Sequence, residues 1–205
     1  MPASYSDYML KRVTEFLFEA GMLKKTPRTG YQFLGSGAES VADHSFRTTV
    51  IGYVLAALEP EADRNRVLLM CLLHDLPEAR TGDHNYVNKR YVTVDESKAI
   101  KDQVRELAFG NEIIALISEF NAGDTLEARL SKDADQLDLI LELKQALDTG
   151  NPNAKDWLCF AVRRLVTENA RKLAEEILSH DSTDWWFEKN AEWWVNGPKK
   201  PIETD

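Results

Sequence analysis

His74 and Asp75 stand side by side at the end of an apolar run, Val67 to Leu73, with Glu78 one turn further on. Two ionisable side chains at the end of a buried helix are costly unless something pairs with them. A divalent metal ion is the simplest partner, since imidazole nitrogens and carboxylate oxygens both ligate one. A His-Asp dipeptide alone is weak evidence, because it turns up often by chance. Two further positions strengthen it. His44 lies in Ala42-Asp43-His44-Ser45, early in a predicted helix. Asp135 adjoins the apolar stripe Leu130, Ala134, Leu137 and Leu141 of another helix, where Asp133 and Asp138 could point towards water. Taken singly, His44 reads as a capped or surface histidine and Asp135 as a surface acid. Taken together, His44, His74, Asp75 and Asp135 offer two imidazoles and two carboxylates, a mixed shell suited to Mn, Fe, Co, Ni or Zn. His84 and His180 lack helical partners in register and read as non-ligands.

Helices must position these groups, because nearly every segment carries helical periodicity. Residues 6–22 place Met9, Leu10, Val13, Phe16, Leu17 and Ala20 on one face, with Gly21 to close the helix. Residues 24–38 break the pattern with Pro27, Gly30, Gly35 and Gly37, a loop long enough to be functional. Ser40 is an N-cap for a helix running to Leu58, which Glu59-Pro60 ends. A third helix covers 62–75 and should be central and buried. Pro77 lacks an amide hydrogen, so that helix kinks or stops near His74-Asp75. An irregular stretch, 81–94, precedes helices over 95–109, 111–120, 125–147 (capped by Asp124) and 155–179. Residues 181–195 hold Trp185, Trp186, Trp193 and Trp194, two pairs eight apart that could share one aromatic face. No period-2 strand pattern, repeat or low-complexity linker is visible. The expectation is one all-α domain over 1–180, with a Trp-rich extension over 181–205 packed on it or at an oligomer contact.

Composition narrows the class. A chain of 205 residues, 43% hydrophobic and 29% charged, is ordinary for a globular domain. Its net charge of −9 argues against binding a nucleic-acid polymer or an anionic membrane, although a few local cations could hold a small phosphate ester. The longest apolar run falls far short of the roughly 20 residues that span a bilayer. Met1-Pro2-Ala3-Ser4-Tyr5 has no basic region followed by an apolar core, so no secretory signal is expected and the cytoplasm is the expected location. Cys71 and Cys159 both fall in apolar helical surroundings and make no disulfide framework.

The order H…HD…D, together with Pro27-Arg28-Thr29-Gly30-Tyr31, Glu39-Ser40-Val41-Ala42-Asp43-His44-Ser45, His74-Asp75-Leu76-Pro77-Glu78-Ala79 and Thr81-Gly82-Asp83, resembles the HD-domain metal-dependent phosphohydrolases. The blocks are similar to those of the subgroup holding the 5′-deoxynucleotidases and their oxetanocin-like relatives, over roughly residues 5–175. The resemblance implies an HD-domain helical bundle with the metal between central helices. It also implies that His44, His74, Asp75 and Asp135 are the metal ligands, Arg28 the phosphate-binding arginine, Glu78 the acid required for catalysis, and Asp83 the contact to the sugar 3′-hydroxyl. Some members carry an aromatic residue directly after the arginine, where this chain departs from the pattern with Thr29-Gly30 and then Tyr31, a candidate substrate-binding residue. Two-metal members have further histidines between the HD pair and the last aspartate; only His84 falls there, so one divalent ion is expected (Mn, Co, Fe, Ni, Zn or Mg).

The implied reaction releases nucleoside and phosphate from a (deoxy)ribonucleoside 5′-monophosphate. The metal at Asp75 acidifies a water, Arg28 neutralises the non-bridging oxygens, and Glu78 moves a proton. Lys89 and Arg90 are candidates for a second cationic contact. A small-molecule nucleotide is the expected partner, and a homodimer the expected assembly. Two alternatives stay open: an HD phosphohydrolase acting on cyclic nucleotides, triphosphates or guanosine polyphosphates, and a non-catalytic metal- or nucleotide-sensing module.

Overall fold

The computed structural model describes residues 7–188 and 191–197. Among these the architecture is all-α, with a single antiparallel bridge between Pro27 and Ser40 in place of any sheet. The helices are α1 (Asp7–Ala20), α2 (Tyr31–Leu34), α3 (Val41–Leu58), α4 (Arg64–Leu73), α5 (Glu78–Thr81), α6 (Glu96–Gln103), α7 (Gly110–Ala122), α8 (Leu126–Asp148), α9 (Asn153–Val162), α10 (Glu168–Ser179) and α11 (Trp193–Asn196). None is long and apolar enough to cross a membrane.

The core forms where α3, α4 and α8 meet. Ile51 and Leu55 of α3, Val67 and Cys71 of α4, and Leu130, Ala134, Leu137 and Ile140 of α8 are buried in one cluster. Gly52 lets α3 and α4 approach closely, since a Cβ there would stand 2.6 Å from Cys71 Sγ. Small residues (Ala154 and Ala161 of α9, Ala170 and Ala174 of α10) join the same cluster on the other side of α8. A second cluster, including Phe16, Val41, Leu76, Ile100 and Ile117, ties α1, α6 and α7 to the segment after α4.

Several boundaries follow local chemistry. Ser40 caps α3 in a reciprocal capping box with Asp43. Asp63 caps α4, which ends at Leu73 with His74 as its C-cap. The chain then passes through tight turns, Leu76 N–H bonding Leu73 O and Glu78 N–H bonding Asp75 O, into α5. Pro77 sits just before that helix, where no amide donor is needed.

Other expectations are corrected. The helix expected over 95–109 stops at Gln103, and the turns after it place Glu106 at φ 66°. Thr125, not Asp124, caps α8, its hydroxyl accepting from Ala128 N–H. The helix expected over 155–179 is two helices, because the Asp133 carboxylate captures the amides of Val166 and Thr167 and Thr167 then caps α10. Asp133 and Asp138 do not face water; each is only 1% exposed. Cys159 is exposed, whereas Cys71 is buried. The tryptophan pairs do not share one helix: only Trp193 and Trp194 lie in α11, and Trp186 meets Trp194 edge-on at 5.9 Å.

Candidate metal centre and its cavity

Two helices and one helix end converge on a single point. His44 projects from the first turns of α3 and is fully buried. His74 and Asp75 follow the last residue of α4, and Asp135 lies on α8. His44 Nε2 is 3.2 Å from Asp135 Oδ1 and 3.5 Å from Asp75 Oδ2, and His74 Nε2 is 3.2 Å from Asp75 Oδ2. The two imidazoles meet edge to face at 5.5 Å, and Phe120 of α7 lies against His74 at 4.7 Å.

Ligand atoms of His44, His74 and Asp75 all fall within 4.8 Å of one another. His44 Nε2, His74 Nε2 and Asp75 Oδ2 are buried with no hydrogen-bond partner. Buried polar atoms without partners are rare and costly, and here they point at each other. A divalent cation among them satisfies all at once, so the residues present fit such an ion. The electrostatics agree. Burial opposes charge on His44, yet the neighbouring carboxylates of Asp135 and Asp138 prevail and raise its pKa to about 10. Burial likewise opposes charge on Asp75, but His74, His44 and Arg28 hold its carboxyl down at about 2. The cluster thus draws positive charge inward, whether as protons on imidazole or as a metal ion.

Beside this centre opens a cavity of about 780 Å³, within the size range of small-molecule sites. Arg28, Asp75, Glu78, Asp83 and Asp135 line it, as do Tyr31, Phe33, Leu139, Trp157 and Phe160. The loop carrying Arg28 is pinned to the start of α3, since Arg28 N–H bonds Glu39 O (2.9 Å) and Val41 N–H bonds Thr26 O (2.9 Å). Arg28 Nη1 lies 3.6 Å from Asp75 Oδ2, adjacent to the metal-ligand cluster. Glu78 Oε2 is buried without a partner. Burial, reinforced by Asp75 and Asp83, raises its pKa to about 9.

The structure brings the eight candidate ligand, catalytic and substrate residues named in the sequence together around this cavity and the ligand cluster, with refinements. Asp83 lines the cavity but also accepts from Thr29 N–H (2.6 Å), so it holds the Arg28 loop in place. The Tyr31 hydroxyl donates to Glu142 (2.6 Å) and presents chiefly its ring to the cavity. Lys89 reaches the lining and Arg90 does not. His84 lines the cavity while bonding Thr81 O (3.0 Å), away from the ligand cluster. His180 lies at the end of α10, bonded to Glu176 O.

The sequence reading missed Arg47, Asp138 and Glu142. Asp138 Oδ2 lies 2.6 Å from His44 Nδ1, and Arg47 bridges Asp138 and Glu142. Spacing carried a signal for them: Arg47 is three residues from His44, and Asp138 and Glu142 are three and seven from Asp135, each set on one helix face.

Comparison with known proteins agrees with the geometry. Residues 20–178 match the family model described as HD domain. The 5′-deoxynucleotidase hdd1 of Schizosaccharomyces pombe is 30% identical over 141 residues, 64% of this chain and 70% of that protein. The 5′-deoxynucleotidase HDDC2 of Dictyostelium discoideum is 34% identical over 140 residues, covering 62% and 74%. Among solved structures, a conserved hypothetical protein from Pyrococcus furiosus superposes with a TM-score of 0.71 at 31% identity, over 82% of this chain and 99% of that one. With the match spanning most of its helices and all four residues of the proposed ligand set, this chain belongs to the HD-domain family.

Proposed function

We propose that this protein is a metal-dependent phosphomonoesterase that hydrolyses (deoxy)ribonucleoside 5′-monophosphates to nucleoside and phosphate. One observation carries the reading: unpartnered buried atoms of His44, His74 and Asp75 converge beside a cavity that also holds Arg28 and the unpartnered Oε2 of Glu78. The relatives named 5′-deoxynucleotidase support the substrate class.

A divalent ion held by His44, His74, Asp75 and Asp135 would supply Lewis acidity, making a water acidic and offsetting phosphate charge. Arg28 offers a planar fork to the non-bridging oxygens and, held beside Asp75, keeps them next to the ligand cluster. Lys89 stands on the cavity lining as a second cation for the phosphate. Glu78 carries or accepts the proton that must move between the attacking water and the departing 5′ oxygen, in a setting that raises its pKa to about 9. Asp83 would meet the sugar hydroxyl, and the rings of Tyr31, Phe33 and Trp157 would give the base an apolar wall; their common position on the cavity lining supports this reading.

A phosphate-release screen over nucleoside mono-, di-, tri- and cyclic phosphates, supplemented with Mn or Co, tests the proposal. Release from 5′-monophosphates is expected, with His74→Ala inactive and Glu78→Gln slower by about 10²–10⁴-fold. Release from none of them overturns the enzyme reading, and release from triphosphates or cyclic esters alone overturns the substrate class. The proposed assembly is a homodimer. Its support is the exposed apolar stripe Phe46, Val50 and Tyr53 along α3 and the exposed rings of Trp185 and Trp193, and sedimentation at a monomer's mass would refute it.

A further inference from the structure

His44 and His74 offer the same nitrogen to the metal centre but are held in different ways. His74 Nδ1 donates to the Cys71 carbonyl oxygen at 2.8 Å, a backbone group that no substitution of side chain removes. His44 Nδ1 instead faces the Asp138 carboxylate at 2.6 Å, with both side chains essentially excluded from solvent. A carboxylate only accepts, so Nδ1 carries a proton towards Asp138, and Nε2 is the nitrogen aimed at Asp75 and Asp135, where a metal ion would take the place of its proton.

A buried carboxylate needs compensation beyond one imidazole. Arg47 gives it, its Nε donating to Asp138 Oδ1 and its Nη2 reaching the Asp138 carbonyl oxygen at 3.2 Å. Arg47 Nη2 also pairs with Glu142 Oε1 at 2.6 Å, and Glu142 in turn accepts from the Tyr31 hydroxyl at 2.6 Å. Two helix faces therefore interlock: His44 and Arg47 of α3 against Asp135, Asp138 and Glu142 of α8. One helix face supplies both a candidate ligand, Asp135, and the group that orients another, Asp138.

Glu39, His44 and Asp138 also lie close enough to suggest a second ion site. Arg47 and the His44 N–H already occupy the Asp138 oxygens, so the positive charge that such a site would bind is present as a guanidinium.

We propose that Asp138, anchored by Arg47, is a positioning residue that holds His44 as the Nδ1–H tautomer and thereby sets the affinity of the metal centre. This rests on the metal-site reading given above. Partners that orient ligating histidines are worth about 10–100-fold in metal affinity, and Asp138→Asn should cost that much. Asparagine keeps the volume and one acceptor but loses the charge facing imidazole and guanidinium.

The test is calorimetric titration of metal-stripped protein with Mn²⁺, run beside circular dichroism to confirm folding. Wild-type binding with Asp138→Asn weakened about tenfold or more is the expected result. Equal affinity in the two proteins overturns the inference while leaving the metal site standing. No binding by the wild type overturns the metal site and the inference with it. Should Asp138→Asn not fold, Arg47→Lys decides, because lysine keeps the charge but loses the fork: weaker Mn²⁺ binding supports the role and unchanged binding overturns it. Long-range ¹H–¹⁵N correlation of the protein loaded with diamagnetic Zn²⁺ gives an independent reading, since a His44 Nδ1 that carries no proton would refute the proposal outright.

Discussion

Asp133→Ala removes one acceptor from three donors at once. The carboxylate accepts from Val166 N–H (2.9 Å), Thr167 N–H (2.8 Å) and the Thr167 hydroxyl (2.6 Å), and it is 1% exposed. It joins α8 to the break between α9 and α10. Hydrogen bonds to a charged group contribute about 1.5–3 kcal/mol each. Relief of the buried charge offsets part of this, leaving a net loss of about 3–5 kcal/mol for the three bonds together. At about 2–4 °C per kcal/mol for a chain of this size, Tm should fall by about 6–20 °C. Asp133→Asn keeps an acceptor oxygen and should fall between the two. Thermal unfolding followed by circular dichroism measures this, and Mn²⁺ titration of the folded variant should match wild type, because Asp133 bonds the α9–α10 break and not the ligand cluster. A Tm within about 2 °C of wild type would refute the assignment of Asp133 as the acceptor that fixes the start of α10.

Gly52→Ala drives a methyl group to 2.6 Å from Cys71 Sγ and 3.2 Å from Val67 Cγ1, a clash worth about 1–3 kcal/mol. Adding Cys71→Ala should recover part of that loss in urea titrations, and strictly additive effects would show that the two residues do not press on each other. Of the two thiols, exposed Cys159 should react with a disulfide reagent in the native protein. Cys71 should react only after unfolding, because burial pushes its thiol up to about 12; native labelling of both would contradict this. Burial, aided by Asp138 and Glu142, raises the pKa of Glu39 to about 7. Its protonation therefore stabilises the fold fully below its unfolded value near 4.5 and is lost as pH rises through about 7. Glu39→Gln in metal-free protein should flatten the decline of Tm between about pH 5 and pH 8, and an unchanged slope would exclude Glu39 as its source.

Much of this architecture is written in local pattern. Ser40 capping α3 and Pro77 interrupting the chain after His74 depend on groups within a few residues of each other, so sequence alone exposes them. The ends of α9 and α10 are different. Residues 155–179 read as one helix because no proline or glycine divides them, and the break is made by an aspartate more than thirty positions away. Asp95 to Phe109 likewise reads as continuous helix, yet α6 ends at Gln103 where Val104 and Leu107 turn into the second apolar cluster.

The site divides along the same line. Residue type and order offered His44, His74, Asp75 and Asp135 as a candidate ligand set, because two imidazoles and two carboxylates together suit a divalent ion, whereas Arg28 and Asp83, and the catalytic role of Glu78, entered through the family resemblance. Which acids of α8 turn inward was not legible: Asp133, Asp135 and Asp138 occupy a mixed stripe, and their burial depends on what packs on each side of the helix. Only the folded chain shows that Asp133 serves the α9–α10 break, Asp135 faces the cavity, and Asp138 faces His44 and Arg47. The physical reason is that a carboxylate's role is set by the donors brought to it, and those donors arrive from helices far away in sequence.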